Sequence, residues 1–272
     1  MLRSSLLVTL ALCFGLQPAA PLIAQEAKTK LAASGWGSLK GKVIFKGKPP
    51  ELPSPIAAMK MHQDARCCLM GSPKELINPT WIIDPKTKGL ANVVIWLKPP
   101  AGHYFPIHAD DKKRKDIVVI DQPHCAFVPH VVGVFAEYFD GDKVVRSGQK
   151  FVVKNSSTVR HNVRFAGFKN AGINTAMQAG GELSVELFPE KLPLTFQCDF
   201  HKWMSARVAV FDHPYFAVTG EDGTFHMPRV PAGAELTVMA WHEAALYVLG
   251  PSGKKLTLRA GENELNLKAE AK

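Results

Sequence analysis

Along most of the chain, apolar residues recur in short runs that alternate with polar ones, the period of half-buried strands. In "ELSVELF", Leu183, Val185 and Leu187 fall on one face, and in "LTFQCDF", Leu194, Phe196 and Cys198 do so. The same texture predicts strands in "GSLKGKVIF", "TWII", "VVIWL", "DIVVI", "HVVGVFAEYF", "QKFVVK", "HNVRF", "ARVAVF", "YFAVT", "TFHMP" and "ELTVMAWHE", with a last hairpin in "KKLTLRAGENELNLK". Between them stand turn signals such as "DPKTKG", "DGDK", "GEDG" and "PAG". Residues 25–36, "QEAKTKLAASGW", carry no period and predict a flexible lead-in, and residues 56–78 predict irregular chain with helical turns. There is no internal repeat and no glycine-rich phosphate loop. The pattern predicts an all-β chain of the sandwich or barrel kind.

Composition agrees with many turns and short strands: 20 Pro and 21 Gly are spread over 272 residues. The length fits one large or two ordinary domains. A hydrophobic fraction of 46% is enough for a packed core and excludes global disorder.

The N-terminus changes the compartment. Arg3, the apolar run "LLVTLALCFGL" and "QPAAPLIA" predict a signal peptide over residues 1–24, with cleavage after Ala24. The run is too short for a membrane span, and Leu12 before Cys13 argues against a lipid anchor. The expectation is an exported protein, periplasmic or extracellular, with no stable membrane insertion. Loss of Arg3 takes the formal charge from +9 to +8. The densest basic run, "DDKKRKD" at 110–116, reads first as a solvated loop and otherwise as a surface that steers acidic proteins or anionic envelope surfaces, and no nucleic-acid partner is expected in that compartment. Four cysteines remain, Cys67, Cys68, Cys125 and Cys198, and export permits disulfides among them.

The chemistry concentrates in "CDFHKWM". Cys198, His201 and Met204 are soft or borderline donors on a short loop between two strands. A fourth donor is available in "NSSTVRHNVRF", where His161 lies in a polar turn before a strand. Two imidazoles, one thiolate and a weak axial thioether are the donor set of a trigonal blue-copper site. That set suits one-electron transfer and leaves no obvious place for a substrate.

On these residues, positions 127–212 resemble a cupredoxin. The spacing in "CDFHKWM" is similar to the amicyanin ligand loop, and "GQKFVVKNSSTVRHNV" to the strand that leads to the first ligand histidine. The resemblance implies one type 1 copper held by His161, Cys198, His201 and Met204. It implies that Asn162 ties the ligand strand to the Cys loop. His201 would be an exposed ligand, rimmed by Phe200 and Trp203 as an electron port. Lys202 departs from the Pro usual in such loops, which puts partner choice in doubt. The flanks, "GSLKGKVIFKGKPPE" and "FAVTGEDGTFHMPRVPAGAELTVMAWHE", resemble the opening and closing parts of a carboxypeptidase-regulatory-like or transthyretin-like β-sandwich. Proteins of this shape are often named plastocyanin-like or methylamine-utilisation proteins.

The expected architecture is therefore a Greek-key cupredoxin sandwich inserted into, or packed against, a second sandwich. Its parts are a lead-in at 25–36, a first sandwich part with an irregular insert at 37–120, the cupredoxin at 121–212 and a closing part at 213–272. The expected partner is a redox protein such as a cytochrome or an oxidoreductase. No hydrolase motif and no paired His-x-His motif of a multicopper enzyme is present, so an enzyme is not expected. Two alternatives stay open. The stretch "MKMHQDARCCLM" at 59–70 could hold Cu(I) for storage or delivery, or carry a disulfide from Cys67 or Cys68 to Cys125. An adhesion or glycan-binding sandwich with a vestigial copper site is the other. His124, Cys125 and His130 could form a second metal site, though residues of this kind more often lie at a strand entry.

Overall fold

The computed structural model describes residues 28–271, so the proposed signal peptide at 1–24 lies outside the described residues. The described chain is all-β, with only three helices of one turn or so. Its strands make two sandwiches, each around its own core.

The inner sandwich holds the middle of the chain. One sheet runs, in spatial order, Ile173–Met177, His161–Phe165, Leu194–Gln197, Ser205–Phe211 and Val131–Phe135. Its last pair is parallel. The facing sheet orders Glu182–Val185, Lys150–Lys154 and Ile117–Asp121, again with a parallel last pair. Between them Phe196, fully buried, stacks on Phe165 with ring centroids 4.3 Å apart and meets Phe151 edge-on at 5.6 Å. Leu194, Phe196 and Cys198 point together into this core, as the period-two pattern requires.

The outer sandwich is made by the two ends of the chain. Strand Gly35–Phe45 pairs antiparallel with Thr224–Ala232 and parallel with Gly261–Glu264 and Leu267–Ala269. The second sheet orders Phe216–Val218, Val94–Lys98, Glu235–His242 and Leu246–Tyr247, with Lys254–Thr257 also on Glu235–His242. Val94–Lys98 and Glu235–His242 read as nearly continuous apolar runs because both faces of their sheet are covered. Ile95, Leu97, Leu236 and Val238 face the outer core. Val94, Trp96, Met239 and Trp241 face the inner sandwich and pack on Val131, Ala209 and Phe211. The approach is close: a Cβ on Gly133 would stand 2.4 Å from the Phe216 ring.

Four expectations need correction. The lead-in is not free where it is described: Thr29–Lys30 pairs with His103–Tyr104, and Leu31 is buried in the outer core. "DIVVI" belongs to the inner sandwich rather than to the first outer part, because Ile117–Asp121 completes the sheet beside Lys150–Lys154. "TWII" makes one bridge, Ile83 to Leu90, instead of a strand. The final "hairpin" divides, since Lys254–Thr257 and Gly261–Glu264 join different sheets.

The segment 56–78 contains two short helices, Ile56–Lys60 and Ala65–Cys68. It docks on the inner sandwich through Met59, Cys68 and Leu76, and a disulfide joins Cys68 to Cys125. Cys67 is buried and free.

Candidate metal centre

Strand Leu194–Gln197 ends one residue before Cys198, and the next strand begins at Ser205. The loop between them is closed by backbone bonds from Cys198 to Met204 and from Met204 to His201. This short closure turns Cys198 and His201 back to one place, with Met204 in the same buried cluster as Cys198. His161 arrives at the start of the neighbouring strand His161–Phe165. All four side chains are buried.

The Cys198 sulfur lies 3.8 Å from His161 Nδ1 and 3.7 Å from His201 Nδ1. Two donors bound to one ion by ordinary bonds of about 2.0 Å to nitrogen and about 2.3 Å to sulfur, at a trigonal angle, lie about 3.8 Å apart. The three donor atoms therefore stand where a shared metal needs them, and the group His161, Cys198 and His201 fits a metal ion. Met204 is buried in the same core cluster as Cys198.

Both imidazoles are held in the neutral form that a metal ligand needs. Burial, followed by the charge of His201, pushes His161 down to about 4, so its imidazole is neutral. Burial and the charge of His62 likewise lower His201, against the pull of Asp64. Burial pushes the Cys198 thiol up, while backbone N–H groups of Asn162, His201 and Phe200 act the other way. Without metal the thiol keeps its proton, and metal binding would release it.

Asn162 clasps the two ligand segments. Its Oδ1 accepts the Asp199 N–H at 2.6 Å, and its Nδ2 donates to Asn174 at 2.7 Å and to the Asp199 carboxylate at 3.1 Å. Asp199 also takes Arg164, whose guanidinium, together with Asn174 and Asn162, holds that carboxyl below its usual range.

The expected port differs. His201 is fully buried rather than exposed, because the segment 56–78 covers its outer edge. The His62 ring packs against it at a tilt, with centroids 4.5 Å apart, and Asp64 Oδ2 lies 3.1 Å from Nε2. Trp203 is half-buried, and its indole N–H donates to the Cys125 carbonyl. Only Phe200 keeps an open ring, at 37% exposure, stacked under the Arg160 guanidinium. Sequence periodicity could not reveal this cover. The available signal was the density of His, Asp and Cys at 59–70.

That stretch does not gather its soft donors. Met59 is buried, Met61 and Met70 are exposed, and Cys68 is in the disulfide. Nor do "PHCAFVPH" residues converge. His124 pairs with Glu75 at 2.9 Å, Cys125 is bridged, and His130 bonds Glu243 at 2.5 Å and the Ser205 carbonyl.

No protein-family model matches the chain, and no curated protein matches it. Solved structures do. Among them are cupredoxins. A purple cupredoxin from Nitrosopumilus maritimus is 16% identical over 35% of this chain and 99% of its own, with a TM-score of 0.26. An amicyanin variant in its Cu(I) form is 15% identical over 43% of this chain and 99% of its own, at 0.28. A copper-containing nitrite reductase from Thermus scotoductus is 13% identical over 35% of this chain and 22% of its own, at 0.27.

Proposed function

We propose that the protein is an exported type 1 copper protein that passes single electrons to and from a redox partner. The observation that carries the reading is the convergence of His161 Nδ1, Cys198 Sγ and His201 Nδ1, all three side chains buried, with Met204 buried in the same core cluster as Cys198. A copper ion held there would supply a one-electron couple. The chain's own part is to keep both imidazoles neutral, to give up the thiol proton on binding, and to exclude water. Burial of the donor side chains suits electron transfer, which needs no substrate bound to the metal. A storage or delivery role gains no support from the dispersed soft donors at 59–70.

Export is part of the same proposal, and among the described residues no helix is long and apolar enough to cross a membrane. The partner would be a protein such as a cytochrome or an oxidoreductase. It would meet the face carrying Phe200, where His62 Nε2 bonds the Phe200 carbonyl at 3.1 Å and its ring lies on His201.

The test is addition of Cu(II) to the purified mature protein, read by visible absorption and electron paramagnetic resonance. An intense blue or purple thiolate band at one copper per chain is expected, and Cys198→Ser abolishes it. A coloured Cys198→Ser protein, or a wild type that takes up no copper, would reject the site.

A further inference from the structure

The covered edge of His201 has a specific chemical consequence. Asp64 occupies the N-cap of the helix Ala65–Cys68, a position where aspartate ordinarily turns its carboxylate back to cap its own helix. Here the side chain makes no cap bond. Its Oδ2 reaches instead across 137 positions of sequence to His201 Nε2, at 3.1 Å. A carboxylate beside Nε2 requires the proton on that nitrogen, because ionised Asp only accepts. Nδ1 is then left with its lone pair, and Nδ1 is the atom 3.7 Å from the Cys198 sulfur. His62 completes the hold. Its ring packs on His201, and its Nδ1 accepts the Asp64 backbone N–H at 3.2 Å, which fixes where the carboxylate stands.

We propose that Asp64 is a positioning residue for the metal centre, supplied by the segment 56–78 rather than by the sandwich that carries the ligands. It selects the Nε2–H tautomer of His201 and, through its negative charge, shifts the bound couple toward the oxidised metal. Such outer partners orient a ligand imidazole and raise its basicity. A more basic ligand and a nearby negative charge both favour the higher-charged ion. The disulfide from Cys68 to Cys125 anchors the segment four positions after Asp64, so the segment's docking and the metal's redox balance are joined. This inference rests on the copper reading for its second half only. The tautomer can be observed without metal.

The experiment compares wild type with Asp64→Asn and Asp64→Ala in two measurements. In the first, long-range proton–nitrogen NMR correlations on the metal-free proteins report which His201 nitrogen is protonated. Wild type is expected to show Nε2–H alone, and Asp64→Ala a mixture of both tautomers. An unchanged tautomer in Asp64→Ala overturns the positioning role whether or not copper binds. In the second, redox titration of the copper-loaded proteins reads the equilibrium between Cu(II) and Cu(I). Asp64→Asn is expected to keep the thiolate band and move that equilibrium about tenfold toward Cu(I), which for one electron is about 59 mV. A coloured Asp64→Asn protein with the wild-type equilibrium overturns the electrostatic role. A wild type without the band, but with the Nε2–H tautomer, supports the positioning and overturns the copper reading and the redox shift together. Retention of the band in the variants excludes a mere failure to fold.

Discussion

Asn162 is the strongest test of how the ligand strand and the ligand loop are held. Replacing it by Ala removes the acceptor of the Asp199 N–H, at 2.6 Å, and the donor to Asn174, at 2.7 Å. Asn162 is 2% exposed, so water cannot easily take its place. The Asp199 N–H lies in a part-buried contact, so leaving it unpaired costs about 1–2 kcal/mol, the lower part of the range for a buried donor, and an ordinary net hydrogen bond contributes about 0.5–1.5 kcal/mol. The contact with the exposed Asp199 carboxylate is screened and adds nothing to the sum. Asn162→Ala should therefore destabilise the metal-free protein by about 1.5–3.5 kcal/mol, read by urea unfolding. Asn174→Ala, which leaves the Asp199 N–H satisfied, should cost under about 1 kcal/mol. Copper affinity should fall about 10–100-fold in Asn162→Ala, the usual effect of losing a partner that orients ligands. If the two variants unfold within about 0.5 kcal/mol of each other, near the limit at which such differences are significant, the clasp is not what joins the two segments.

Two further predictions follow from the same geometry. The Cys68–Cys125 bridge spans 57 positions; the chain-entropy relation gives about 14 cal/mol/K, or about 4 kcal/mol, for a loop of that size. The Cys68→Ala, Cys125→Ala double variant should lose up to that amount and show faster hydrogen exchange over 56–78; identical melting of oxidised and reduced wild type would refute the anchoring. Burial holds His242, stacked on Trp81, down to about 4 from 6.5. The unfolded chain then takes up a proton that the folded one resists, so stability falls as pH drops from 6.5 toward 4. The ceiling is about 1.4 kcal/mol per pH unit for this group, and His242→Phe should flatten that slope in a pH series of unfolding curves.

The strands that build the inner core were legible because their period is local. "LTFQC" places Cys198 at a strand end with no tertiary information, "NSSTVRHNVRF" places His161 beside the start of another, and the loop is too short to carry His201 far from Cys198. Ile173–Met177 was missed because it is an edge strand: Asn174, Thr175 and Ala176 are all exposed, so no alternation marks it. The place of Asp64 and His62 over His201 was missed for a different reason. They meet His201 across a long sequence separation, from a segment without a period, and the cover they form contradicts the open edge that the loop's resemblance implied. The apolar runs of the outer sandwich were visible, but not that one sheet is covered on both faces, which is a property of what packs there.

The pairing of Gly35–Phe45 also sets a timetable. Lys40 and its salt-bridge partner Glu262 are separated by 222 positions. A ribosome adding about 5–20 residues per second takes about 10–45 s to cover that distance. For that interval an early strand with an apolar face waits for neighbours not yet made, while the inner sandwich, whose strands end at Phe211, can already close. The newborn chain thus carries an open strand edge while those 222 positions are added, and whatever receives it during that time must shield the edge from other copies.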